Sequence, residues 1–304
     1  MFSPRYYIRR FLGRRGTFFL RNMLSEFSFK LGVYKGPREE GKEPGISAMV
    51  CTYNEEDWIV PSMLSIENLV DEYIVVDSST DKTLDLIQWL KEERGLNVRI
   101  FRIPPGSLSE ARNLALKEAK FKWVLHWDAD FVMFDWASNF VKDFTSSLDP
   151  RRHHLVYWPW ICLCGDLRHL CGRDPYHVEH WLFTYSSSLV YKDLFIRGTP
   201  MDHLIAPLKL FKAIYIDRVL GLHLKARRNL RRLALKQLWW KFIKEFQEGA
   251  FRGLSYEEIA KRKALELNGT DDLEEVGRRI LGKQVTTLPM YDGEYPSVLI
   301  PYIE

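Results

Sequence analysis

Cysteine is scarce: the 304 residues hold four, at positions 51, 162, 164 and 171. That is too few and too clustered for a disulfide framework, so reduced thiols are expected. Long apolar runs are missing as well. Leu155 to Gly165 runs eleven residues without a charge, well short of the ~20 apolar residues a bilayer-spanning helix needs, which excludes a polytopic membrane protein. The amino terminus carries arginines throughout and no apolar segment ending in a small-residue cleavage site, so the expected location is cytoplasmic. No GxGxxG follows the first apolar strand pattern and no GxxxxGK[ST] occurs, which excludes a dinucleotide fingerprint and a P-loop. Repeats and low-complexity tracts are absent too.

What is present fits an ordinary globular chain, with 46% hydrophobic and 28% charged residues. A net charge of +4 is too mild to imply a nucleic-acid partner, but its distribution is uneven. Eight cations against one acid, Glu26, lie between Met1 and Gly36, and eight more with no acid lie between Lys225 and Lys244. Both blocks interleave cations with Leu, Phe, Tyr or Trp. Such composition suits either core packing behind a cationic outer face or peripheral contact with an anionic membrane at the inner face.

Hydrophobic periodicity divides the chain into three parts: residues 1–45, a basic amphipathic arm and Pro/Gly-rich linker; 46–225, an α/β domain; and 226–304, a helical extension and tail. Extended segments are predicted at Ile46–Thr52, Glu72–Asp77, Val98–Ile103 and Trp123–Asp128, alternating with helices at Asp57–Leu69, Lys82–Arg94 and Ser107–Ala119. That alternation predicts parallel strands joined by right-handed crossovers. Further on, strands are expected at His154–Leu163, Phe183–Tyr191 and Ala213–Leu220, with a loop over Arg197–Leu204. The helical extension reads as one helix from Arg228 to Gly249 and two shorter ones, Ser255–Leu267 and Asp271–Leu281.

In open α/β sheets ligands collect at the carboxyl ends of the strands. Those ends carry Thr52, Tyr53, Asn54 and Glu55, then Asp77, then Asp128, Ala129 and Asp130. Asp128 and Asp130 lie two apart, so an extended backbone points both carboxylates to one side. Paired oxygen ligands of one sign suit Mg²⁺ or Mn²⁺, which would bridge to the oxygens of a diphosphate.

Four motifs in order, TYNEE, VVDSSTDKT, SEARNLALKEA and WVLHWDAD, resemble the family-2 glycosyltransferases of the GT-A fold, closely over Ile46–Met133 and loosely beyond. The resemblance implies a layered α/β/α domain with a mainly parallel mixed sheet, plus the C-terminal helical extension. It divides the domain into a donor-nucleotide half, 46–133, and an acceptor half, 134–225. It further implies donor contacts from Thr52, Tyr53, Glu55, Asp77, Arg112 and Asp128, and a metal held by Asp130 with Asp128 and His223. Asp202 takes the role of catalytic base, with Asp174 and Glu179 as understudies. The run Asp77–Asp81 is one residue shorter than the family commonly has, and UDP is favoured over GDP as the nucleotide. The resulting expectation is a metal-dependent, inverting glycosyltransferase that moves a sugar from a nucleotide-sugar to a cell-envelope or lipid-linked saccharide acceptor. The alternatives are a sugar-1-phosphate nucleotidyltransferase and a non-catalytic membrane-surface adaptor.

Two nearby features invite other readings. His126 shares the face of Asp128 but reads as a satisfied core histidine. Cys162, Cys164, His169, Cys171, His177 and His180 supply enough ligand types for zinc, although the C-x-C start is tighter than in common knuckles.

Overall fold

The computed structural model describes residues 4–34, 36–196 and 199–303, with side chains described except at 4–15, 38–39, 177, 179–180, 195–200, 247 and 250–251. Strands β1 (Glu43–Thr52), β2 (Glu72–Asp77), β3 (Val98–Arg102) and β4 (Phe121–Asp128) pair in parallel in the order β3-β2-β1-β4. The helices between them are α2 (Ile59–Ser65), α3 (Thr83–Glu93) and α4 (Leu108–Glu118), and α1 (Pro4–Lys30) precedes the sheet. Alternation along β1 explains the layering. Ala48 and Val50 enter one core with Trp58, Ile59 and Trp127, while Met49 enters the other with Ala111 and Ala115 of α4. Ser107 caps α4 by accepting from the Glu110 amide at 3.3 Å, the predicted capping spacing.

Beyond β4 come β5 (Phe131–Met133), α5 (Ala137–Ser147), β6 (His153–Cys164), β7 (His169–Leu170) and β8 (Tyr176–Thr184). They are followed by β9 (Val190–Ile196), β10 (Thr199–Ile205), β11 (Phe211–Tyr215) and β12 (Gly221–Leu224). The main sheet continues β4-β8-β6-β12-β5, with β8 antiparallel to both neighbours. This mixed sheet, parallel on its donor side and flanked by helices, is the expected GT-A arrangement. The C-terminal helices α6 (Leu230–Lys241), α7 (Ile243–Phe251), α8 (Tyr256–Asn268) and α9 (Leu273–Thr287) share their own core, built on Ala234, Leu238, Phe246, Ile259 and Val276.

Several expectations need correction. The strand predicted over Phe183–Tyr191 is two strands, because the Ser186 hydroxyl accepts from the Ser188 amide and the Leu189 amide bonds back to the Ser186 carbonyl, forming a turn. The loop expected over Arg197–Leu204 is largely β10, paired antiparallel with β9 so that Asp202 faces Asp193. The helix predicted from Arg228 to Gly249 breaks at Phe242 into α6 and α7. Cys164 and Cys171 are not free thiols. Pairing of Cys164 with His169 between β6 and β7 brings the two Cα atoms to 5.1 Å, within bridging range, and the sulfurs are bonded. That bond removes two thiols from the zinc reading. The His177 and His180 side chains lie outside the described residues, and among the described residues no group of three ligands is placed to hold a metal.

α1 packs one face on β11. Asn22 pairs with both the amide and the carbonyl of Ala213, at 2.7 and 3.0 Å, and the Phe18 ring meets Tyr157 at 4.7 Å. Its other face leaves Phe19, Met23, Phe27 and Leu31 exposed at intervals of four. No helix among the described residues is long and apolar enough to cross a membrane.

Candidate active site

The parallel register places Thr52 opposite Asp77 and Cys51 opposite Asp128, so the predicted donor residues do share one sheet edge. Asp77 is fully buried. Its Oδ1 accepts from the Thr52 hydroxyl at 2.7 Å and the Ser79 amide at 3.2 Å, and its Oδ2 pairs with Arg102. Asn54 adopts a left-handed φ of 57°, a conformation Asn tolerates, and its Oδ1 accepts from the amides of Thr80 and Asp81 at 2.7 and 3.2 Å. The loop after β1 is thereby latched to the loop after β2, and Tyr53 stands half exposed at its tip.

Arg112 is the next node. Buried on α4, it donates from Nη2 to Asp128 at 2.6 Å and from Nε to Asp202 at 2.5 Å, and so joins the end of β4 to β10. Its Nη1 is buried without a hydrogen-bond partner. Burial opposes ionisation of Asp128, yet the Arg112 guanidinium, helped by His126, holds its carboxyl well below the usual range. His126 is buried, as expected of a core histidine. It also contacts the Arg112 cluster, with Nδ1 3.0 Å from the Tyr191 hydroxyl and Nε2 3.5 Å from Asp128. Two acids opposed across β9 and β10 would repel. Arg112 relieves one, Asp202, and the Ser107 hydroxyl, 2.6 Å away, takes the other, Asp193.

Asp130 sits apart from this node. The chain turns at residues 129–130 instead of staying extended, so the predicted alternation does not carry over and the two carboxylates find different partners. Asp130 is 6% exposed and meets Arg227 Nη2 at 2.9 Å, Lys236 Nζ at 3.3 Å and His223 Nε2 at 3.4 Å. Arg227 is itself buried and reaches Glu55 at 3.1 Å, while Arg232 bonds Asp81 at 3.3 Å. Burial penalises the charge on Asp130, but Lys236, His223 and Arg227 together hold its carboxyl far below the ordinary range. Burial alone would lower the His223 imidazole, yet the Asp130 carboxylate overrides it and raises the ring to about 9.

Asp128 is paired with Arg112, and Asp130 with Arg227 and Lys236, so these carboxylates as placed do not fit a resident Mn²⁺ or Mg²⁺.

Of the remaining predicted residues, Asp202 lies on β10 and not in a loop. Asp174 is exposed in the turn before β8, and the Glu179 side chain is outside the described residues. Arg102, Arg227, Arg232 and Lys236 escaped sequence reasoning. Arg102 ends a predicted strand and could have been found by the same rule as Asp77. The other three lay inside a basic block read as a solvated or lipid-facing surface.

Residues 47–147 match the family model described as glycosyl transferase family 2. The chain is 31% identical over 90 residues to the poly(ribitol-phosphate) beta-N-acetylglucosaminyltransferase TarS of Staphylococcus aureus, covering 28% of this chain and 16% of that one. It is 30% identical over 111 residues to the poly-beta-1,6-N-acetyl-D-glucosamine synthase of Staphylococcus epidermidis, covering 35% of this chain and 27% of the other. The chain thus spans about a quarter or less of the length of these relatives. Among solved structures, S. aureus TarS in complex with UDP-GlcNAc aligns at 17% identity and TM-score 0.41, covering 79% of this chain and 71% of the other. A mannosyltransferase from Pyrobaculum calidifontis in complex with GDP-Man and Mn²⁺ aligns at 15% identity and TM-score 0.40, covering 94% and 93%.

Proposed function

We propose that the chain transfers a sugar from a nucleotide-sugar, a UDP-sugar in preference to a GDP-sugar, to a saccharide or lipid-linked acceptor of the cell envelope, with inversion at the anomeric carbon. The observation that carries this reading is the Asp128–Arg112–Asp202 chain, which joins the donor edge of a family-2 domain to a carboxylate on the neighbouring hairpin. A single in-line displacement needs such a carboxylate beside the acceptor hydroxyl. Asp202 takes the hydroxyl proton as the acceptor oxygen bonds to the anomeric carbon, and the bond from that carbon to the diphosphate breaks on the opposite face. The buried, unpartnered Nη1 of Arg112 is a donor free to meet an oxygen of the nucleotide-sugar. The same guanidinium restrains Asp202 until the substrates are in place.

A divalent cation on Asp130 would require Arg227 and Lys236 to withdraw, and no step of this scheme depends on one. Peripheral attachment to an anionic membrane is supported by α1, whose exposed Phe19, Met23, Phe27 and Leu31 follow an arginine-rich first half. The Lys225–Lys244 block lends that idea less support, because Arg227, Arg232 and Lys236 face the donor edge and Leu233, Ala234 and Leu238 are buried.

The reading is tested by incubating the protein with a panel of UDP- and GDP-sugars and saccharide acceptors, then assigning the product anomer by NMR. Transfer with inversion is expected from the wild type and loss of transfer from Asp202→Asn. Retention of configuration, or an Asp202→Asn variant as active as wild type, contradicts it.

A further inference from the structure

Asp130, one of the two acids expected to hold a metal, is met together with Glu55 and Asp81 by cations from one short stretch, Arg227 to Lys236. Arg232 and Lys236 lie four apart on α6 and therefore share a helix face. That face looks onto the loops after β1 and β2 and the turn after β4: Arg232 lies 3.3 Å from Asp81 and 3.8 Å from Glu55, and Lys236 lies 3.8 Å from Glu55 and 3.3 Å from Asp130. Arg227, just before the helix, forks between Glu55 and Asp130 and is 2% exposed, and its Nε is buried with no hydrogen-bond partner. Three cationic side chains thus meet the carboxylates of Glu55, Asp81 and Asp130, and His223 Nε2 lies 3.4 Å from Asp130. Each of these carboxylates is already met by a cation of the chain, so a divalent cation would have to displace one. Arg232 and Lys236 remain partly exposed and Arg227 keeps a spare donor, so the three can turn toward a phosphate, and the strand ends are where a nucleotide-sugar must release its diphosphate.

Resting on the glycosyltransferase reading, we propose that Arg227, Arg232 and Lys236 form the diphosphate-binding site, supplying as fixed charge what a metal ion would supply, so that donor binding needs no divalent cation. Asp130 and Glu55 are positioning residues in this account, because they hold the Arg227 fork in place. Arg232, with 17% of its side chain exposed, and Lys236, with 40%, are the groups that reach the phosphates. When the bond between the anomeric carbon and the diphosphate breaks, its electron pair stays on the phosphate oxygen. The charge that develops there is met by guanidinium and ammonium groups that need little rearrangement.

The opposite role is possible for the same residues: a plug that a metal and donor must displace. The two roles predict opposite responses. Calorimetric titration of the full chain with UDP and with GDP, in EDTA and then in Mn²⁺, separates them when run on wild type, Arg232→Gln and Lys236→Met, with thermal melts to confirm folding. We expect a diphosphate to bind in EDTA, Mn²⁺ to change Kd by less than about twofold, and each variant to weaken binding about tenfold with an unchanged melt. Binding that appears only with Mn²⁺, or that is unchanged or tightened in the variants, overturns the proposal and leaves the glycosyltransferase reading standing. If no nucleotide binds in either condition, that reading fails and this proposal falls with it.

Discussion

Strand β2 carries a buried acid at each end, Glu72 and Asp77, and the two are built alike. Glu72 accepts from the Ser47 hydroxyl of β1 at 2.7 Å and the Lys120 amide at 2.8 Å, and pairs with Arg99 of β3 at 3.1 Å. Asp77 accepts from the Thr52 hydroxyl of β1 and the Ser79 amide, and pairs with Arg102 of β3. Both are complete sets, made of neighbours in the sheet. The carboxyl edge differs beside Asp77 and not at it, for there Arg112 and Arg227 each bridge two acids far apart in sequence while keeping buried guanidinium nitrogens without a hydrogen-bond partner. A satisfied acid at a strand end stabilises the sheet. A cation held by distant acids with spare donors is arranged to receive something.

The largest expected effect comes from breaking the Arg112 bridge. Arg112→Ala strands two carboxylates, and chemical denaturation should show a loss of about 3–5 kcal/mol together with abolished transfer. A loss under 1 kcal/mol with activity retained would remove Arg112 from the centre of the account. Asp202→Asn keeps the shape but removes the base. Its kcat should fall roughly 10²–10⁴-fold while the melting curve stays near wild type, and a KM effect alone would reassign Asp202 to substrate binding.

The two ends of β2 can then be compared directly. Glu72→Gln and Asp77→Asn should each cost about 1–3 kcal/mol, because each turns an acceptor oxygen into an amide facing existing donors. Steady-state kinetics sharpens the contrast: the Glu72 variant should leave donor KM unchanged, while the Asp77 variant shifts the Thr52 loop and raises it. Equal effects on KM would erase the distinction drawn between the ends.

The smallest effect is a titration. The His223 ring, raised from 6.5 to about 9 by Asp130, contributes stability that is fully present below about pH 6.5 and lost as pH rises through about 9. NMR of the imidazole should show that midpoint in wild type and a return toward 6.5 in Asp130→Asn. An ordinary value in wild type would mean that the Asp130 cluster is not formed.

Much of this was legible in the sequence. The alternation from Ile46 to Asp128, the Ser107 cap and the grouping of Thr52, Asp77 and Asp128 at one edge follow from periodicity and local chemistry, which act over short stretches. The geometry of Asp130 was not, since a turn two residues long decides whether alternation persists. Nor were the roles of Arg227, Arg232 and Lys236, which depend on how α6 returns to the sheet about a hundred residues after β4. The Cys164–Cys171 bond escaped for the same reason: composition argued against a framework, and only the β6–β7 pairing brings the two sulfurs together.

The central claim, that this sheet edge cleaves the bond between sugar and diphosphate, is tested most directly by following donor turnover with ³¹P NMR in wild type and Asp202→Asn. The account predicts a nucleoside diphosphate as the phosphorus product of the wild type and none from the variant. A sugar 1-phosphate product, or a nucleoside diphosphate formed equally fast by Asp202→Asn, would contradict it.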